Sequence, residues 1–108
     1  MNNKVLTLLG FASKAGKLSY GQREIKNSIC SSKAHLAVIC GEISPKSHKE
    51  ISFYALKKSV PIMFLNDIST AALSKAVGRS CKAVSVNDAS FADALIKQRS
   101  TGGNANDK

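Results

Sequence analysis

The chain of 108 residues has no tryptophan, two tyrosines and four phenylalanines. Phe11, Phe64 and Phe91 sit in core-like patterns, so a platform of exposed rings stacking single-stranded bases is not expected. Cysteine is sparse as well. Cys30, Cys40 and Cys81 are odd in number and form no C-x-x-C pair, which excludes a disulfide framework and a zinc knuckle and leaves three small buried or half-buried hydrophobes. His35 and His48 are the only histidines, too few for a metal site. Neither G-x-G-x-x-G nor G-x-x-x-x-G-K-[ST] occurs, so phosphate-cradling nucleotide loops are missing and no cofactor is expected. Apolar runs stay far below the roughly 20 residues that span a bilayer. No targeting segment is recognised at either end, and the expectation is a soluble cytoplasmic protein with no membrane partner.

What the chain has is positive charge and a composition that folds. Sixteen Lys+Arg against seven Asp+Glu give a net charge of +9, and 44% hydrophobic residues are enough to bury a core. One domain over residues 1–99 is expected, followed by a polar, Gly/Asn-rich disordered tail over 100–108. The charge is uneven. Lys4, Lys14, Lys17, Arg23, Lys26 and Lys33 face the single acid Glu24 in the first 35 residues, which predicts a basic face near the N-terminal third. Such a face draws polyanions by Coulomb attraction and counterion release, so nucleic acid leads as partner class, ahead of an anionic membrane surface. A lysine-rich coat serving solubility explains the charge alone equally well.

Periodicity orders the elements. Asn3 can cap a helix carrying Val5, Leu8, Leu9 and Ala12, stopped at Gly16. A strand stub at Leu18-Ser19-Tyr20 precedes a helix opened by Gly21, with Ile25 and Ile29 on its inner face. Leu36 to Cys40 is apolar without alternation and predicts a central strand covered on both faces. Ser44-Pro45 starts a helix through Ile51, Tyr54 and Ala55. Pro61 then launches Ile62 to Leu65, a second buried strand. Ser69 to Val77 reads as a helix stopped by Gly78, Lys82 to Val86 as a strand with one face less buried, and Asn87 or Asp88 as the cap of a last helix. Such alternation predicts a layered α/β domain with helices on both faces of the sheet.

Chemistry-bearing constellations are few. Cys40 and His48 do not make a thiol and its base, because the cysteine lies within an apolar strand and nothing orients the histidine. A phosphoacceptor pocket needs several aspartates at strand ends, and only Glu42 and Asp67 stand there. What remains is Tyr20-Gly21-Gln22-Arg23-Glu24: glycine allows close approach, and a helix start favours phosphate. Glu24 has two readings. It complements the helix dipole, or its carboxylate accepts from guanine N–H groups or the cytosine amino group, which a lysine cannot do.

Leu8-Leu9-Gly10, Ala15-Gly16-Lys17, Gly21 to Glu24, Lys33 to Ile39, Cys40 to Pro45, Val60-Pro61 and Leu73 to Arg79 occur in an order and spacing that resembles the kink-turn RNA-binding ribosomal proteins of the L7Ae/L30e type, over about residues 4 to 97 and especially their short bacterial members. The resemblance implies an α/β/α sandwich around a small mixed sheet, no enzymatic activity, and binding to a sharply bent RNA with tandem sheared G·A pairs beside a bulge. It implies a contact element led by Gly21, with Gln22, Arg23, Glu24, Lys26 and Asn27, and a second contact from Arg79, Ser80, Cys81 and Lys82. Arg23 stands where the family usually has asparagine, and Asn27 where it usually has lysine, with Lys26 beside it. Asn66 to Ala72 is about two residues longer than usual. The expected partner is structured RNA, ribosomal or regulatory, bound by a monomer without DNA specificity. The alternative is a small α/β protein-interaction or small-ligand module.

Overall fold

The structure, a computed structural model, describes residues 4–65 and 67–103, with side chains through residue 98. In chain order the elements are α1 (Lys4–Lys14), β1 (Leu18–Ser19), α2 (Gln22–Cys30), β2 (Leu36–Cys40), α3 (Pro45–Lys57), β3 (Ile62–Leu65), α4 (Thr70–Val77), β4 (Ala83–Val86) and α5 (Ala89–Gly103). The sheet order is β1-β4-β2-β3, with β2 and β3 parallel and β4 antiparallel to both of its neighbours. Helices cover both faces. Leu36, Val38 and Cys40 pack with Val5 and Leu9 of α1, Leu73 of α4 and Leu95 of α5, while Ala37 and Ile39 pack with Ile25 and Ile29 of α2 and Ile51 of α3. The apolar run 36–40 thus supplies two cores at once, as its lack of alternation requires. Truncating a residue such as Leu9, which is fully buried, to alanine costs about 2–5 kcal/mol.

Helix ends follow local chemistry. The Ser47 N–H donates to the Ser44 hydroxyl at 3.2 Å and the Ala72 N–H to the Ser69 hydroxyl at 3.1 Å, so each serine caps its helix. Gly78 ends α4 in the left-handed region at φ +78°. The expected cap Asn3 lies outside the described residues.

Several expectations are corrected. The strand at Ile62 to Leu65 is an edge, not a buried strand: Met63 and Leu65 point to the core, while Ile62 and Phe64 are 38% and 44% exposed. The strand at Ala83 to Val86 is buried throughout, because it lies between β1 and β2. Phe11 and Phe64 are largely exposed rather than core, and Cys30 is exposed at the end of α2. Toward the C-terminus α5 runs through Gly103, and residues 104–108 of the expected tail lie outside the described residues. Asn66 of the lengthened segment does too.

The registers decide where charge collects. Leu18 and Leu36 both oppose Val86, and the backbones of Lys17 and His35 bond to Asn87 and Val86, placing Lys17 and His35 at one end of the sheet. The Cys40 N–H donates to the Lys82 carbonyl at the other end. Helix α2 starts at this second end and runs back, so that the Lys33 N–H bonds to Ser28 where the helix has finished. Lys33 therefore lies at the end of α2 away from its start.

Candidate nucleic-acid interface

Gly21 precedes α2 with φ +51° and ψ 145°, a conformation L residues avoid, and it offers the helix no side-chain cap. The missing side chain is used. A Cβ at Gly21 would stand 2.6 Å from Glu24 Oε1, so the carboxylate curls back over the glycine at the mouth of the helix. Glu24 then lines a groove of about 720 Å³ with Leu18, Ser19, Tyr20, Gly21, Gly78, Arg79 and Ser80. Residues nearly 60 apart in sequence meet there because β1, which leads into α2, pairs with β4, whose preceding loop carries Arg79.

The floor of the groove is Tyr20. Ser13 donates to the Val77 carbonyl at 2.7 Å, which uses its single proton, so the hydroxyl–hydroxyl contact between Tyr20 and Ser13 has Tyr20 as donor. This anchors the ring to α1 and α4. The Arg79 guanidinium carbon lies 4.6 Å from the ring centroid, a cation–π pair that aligns the arginine along the groove wall. The loop itself is tied to α4. The Cys81 N–H donates to the Ser74 hydroxyl at 3.0 Å, and that hydroxyl donates to the Cys81 carbonyl at 3.1 Å. From below, α2 is fixed by contacts of Ser19 with the buried Ser28 at 2.7 Å and with the Asn87 amide at 2.8 Å.

The residues expected to act together are divided. Gly21, Glu24, Arg79 and Ser80 share the groove. Gln22, Cys81 and Lys82 line a neighbouring cavity of about 230 Å³ between α2 and the start of α3, which Gly21 and Ser80 also border. The Gln22 side chain is engaged there: its amide nitrogen donates to Glu50, and its oxygen accepts from Ser47 at 2.8 Å. Lys26 points to α3, with Nζ 4.9 Å from the Tyr54 ring centroid, and the Tyr54 hydroxyl holds its pKa above the ordinary lysine value. Arg23 and Asn27 are exposed on α2 and line neither space. Sequence reading missed Tyr20 as the groove floor, since nothing local shows that a ring after a strand stub will meet the residue after Gly78.

At the start of α4, the Glu42 carboxylate accepts from the Thr70 N–H at 2.8 Å, capping the helix from outside, and this bond holds its pKa below the ordinary carboxylate value. Burial pushes the Cys40 thiol up to about 11, and its sulfur donates to the Ser69 carbonyl at 3.8 Å. The His48 ring packs edge-on against Phe64, with centroids 5.3 Å apart. Among the described residues no cluster of three or more His, Cys, Asp or Glu could hold a metal ion, and no helix is long and apolar enough to cross a membrane.

The sequence profile of the ribosomal protein L7Ae/L30e/S12e/Gadd45 family matches residues 3–96. No curated protein matches the chain by sequence. Among solved structures, a Bacillus halodurans protein of unknown function superposes with a TM-score of 0.83 at 21% identity, over 89% of this chain and 96% of its own. The Giardia lamblia 15.5kD RNA binding protein superposes with a TM-score of 0.75 at 18% identity, over 94% of this chain and 89% of its own. Both similarities are in fold.

Proposed function

The chain belongs to the ribosomal protein L7Ae/L30e/S12e/Gadd45 family, and from this we propose that it is a non-enzymatic RNA-binding protein that recognises a kink-turn or a related sharply bent RNA. The observation that supports the reading is the meeting of Glu24 with Arg79 and Ser80 in one groove. A surface built only for polyanions has no use for a carboxylate at its contact point, because phosphate repels it. A purine edge has a use for it. Glu24 accepts from guanine N–H groups, the start of α2 and Arg79 answer phosphates, and a bend brings those phosphates close enough to meet both elements. The RNA-binding title of the Giardia lamblia protein of the same fold agrees with this reading.

The non-enzymatic part rests on the state of the available groups. A thiol with a pKa of about 11 that donates to a carbonyl is not a thiolate nucleophile at neutral pH. The protein acts as a cytoplasmic monomer on this reading, on ribosomal or regulatory RNA. The test is a titration of a kink-turn RNA and of a plain duplex at several salt concentrations. Affinity should fall steeply with salt and favour the kink-turn RNA throughout; a flat salt response, or equal affinity for both RNAs, overturns the proposal.

A further inference from the structure

A further exposed apolar surface lies away from the groove, at the β3 edge. Backbone direction alternates along a strand, and here it can be assigned from the ends of the ladder: the Ala37 N–H donates to the Pro61 carbonyl at 3.0 Å and the Gly41 N–H to the Leu65 carbonyl at 3.2 Å. Pro61, Met63 and Leu65 therefore bond toward β2, and Ile62 and Phe64 direct their N–H and C=O groups outward. No further strand pairs with this edge among the described residues. The same two residues are the exposed apolar ones of the strand.

Helix α3 completes the surface. His48 touches Phe64, and residues 48, 52 and 56 lie along one row of the helix, about two turns apart from end to end. Leu56 is 82% exposed. Along α3 and just past its end Lys46, Lys49, Lys57 and Lys58 are all exposed. We infer that the outer edge of β3, with Leu56, is a docking strand for an extended acidic segment of a protein partner, which adds as a fifth strand and sets apolar side chains against Ile62, Phe64 and Leu56.

The chemistry selects this occupant. A second copy would bring its own lysines and a net charge of +9 against the same lysines, which repel it. An RNA backbone offers phosphate acceptors and one 2′-hydroxyl donor per nucleotide, but no apolar side chains to set against Ile62, Phe64 and Leu56. A peptide strand supplies both at alternate residues, and its outward carboxylates meet the lysines.

The test uses the full chain labelled with nitrogen-15 and peptides of about eight residues that alternate glutamate with isoleucine or glutamate with phenylalanine. Lysine-for-glutamate analogues and a short RNA duplex serve as comparisons. The acidic peptides should shift the Ile62 and Phe64 amides and slow their hydrogen exchange, while the lysine analogues do neither. Ile62→Pro removes an outward donor without touching the ladder, and Leu56→Ser removes the apolar side chain without changing the charge; each should weaken binding at least about tenfold with RNA affinity unchanged. Should Ile62→Pro fail to fold, the charge-neutral Leu56→Ser at its exposed site decides alone. The inference is overturned if the acidic peptides do not bind, if the lysine analogues bind equally, if the duplex produces the same protection, or if raising the protein concentration alone does so.

Discussion

Arg79 stacks on Tyr20, its guanidinium carbon 4.6 Å from the ring centroid, while the ring is anchored through its hydroxyl to Ser13. An arginine on a loop ordinarily samples many rotamers, and fixing it on binding costs up to about 2 kcal/mol of side-chain entropy. Here much of that cost is met during folding. The stacked guanidinium keeps its charge and edge donors available beside Glu24, so cation and carboxylate are presented together.

Glu24→Gln separates recognition from attraction. Removing an acid from a protein of charge +9 should strengthen purely electrostatic binding. The proposed contact predicts instead a loss of about 1–3 kcal/mol on kink-turn RNA, with little change on duplex. Calorimetric titration of both RNAs reads the difference.

Arg79→Ala and Lys26→Ala should diverge. Arg79 lines the groove, so its loss should weaken RNA binding and lower the salt slope by about one if it meets a phosphate. Lys26 is held over Tyr54 and should leave the slope nearly unchanged. Binding constants across a salt series check both variants.

Gly21→Ala should act on fold and site together. With φ +51° and ψ 145°, an alanine there costs about 1–3 kcal/mol in backbone strain. Its Cβ also displaces the Glu24 carboxylate, a flexible group whose movement is cheap for stability but removes it from its place. Urea denaturation should show the strain, and kink-turn preference should fall by more than that loss of stability explains.

Acid stability should depend on Glu42. Its folded-state pKa is held below the ordinary 4.5 by the Thr70 N–H, so the carboxylate stabilises the fold above that value and ceases to do so as pH falls through the depressed one. In Glu42→Gln this pH-dependent part should vanish, giving a shallower decline of the urea midpoint below about pH 4.5.

Thiol labelling at neutral pH should find one fast site of the three. Cys30 is exposed, whereas Cys40 is buried with a pKa of about 11 and burial also raises the half-buried Cys81. Counting fast-reacting thiols with a chromogenic disulfide, and repeating the count in Cys30→Ser, checks the assignment.

Much of the architecture could be read locally. The uninterrupted run at Leu36 to Cys40 required cover on two faces, and Ser44-Pro45, Ser69 and Gly78 marked helix ends by chemistry that acts within a few residues. The errors fell on pairing. Ile62 to Leu65 and Ala83 to Val86 have similar apolar content, yet one is an edge and the other lies between two strands, and only long-range register assigns those places.

The site divides along the same line. Sequence alone determined that Gly21 opens a helix with an acid in its first turn, that the chain is basic, and that nucleotide loops are missing, since each depends on residue type or near neighbours. Tertiary structure decided which charges act together. It brought Arg79 to Tyr20 and Glu24, carried Lys33 to the far end of α2, and turned Lys26 toward Tyr54. The physical reason is that strand pairing sets distances between residues through the order of the sheet, and this order places the loop before β4 beside the start of α2 although their separation along the chain is nearly 60 residues.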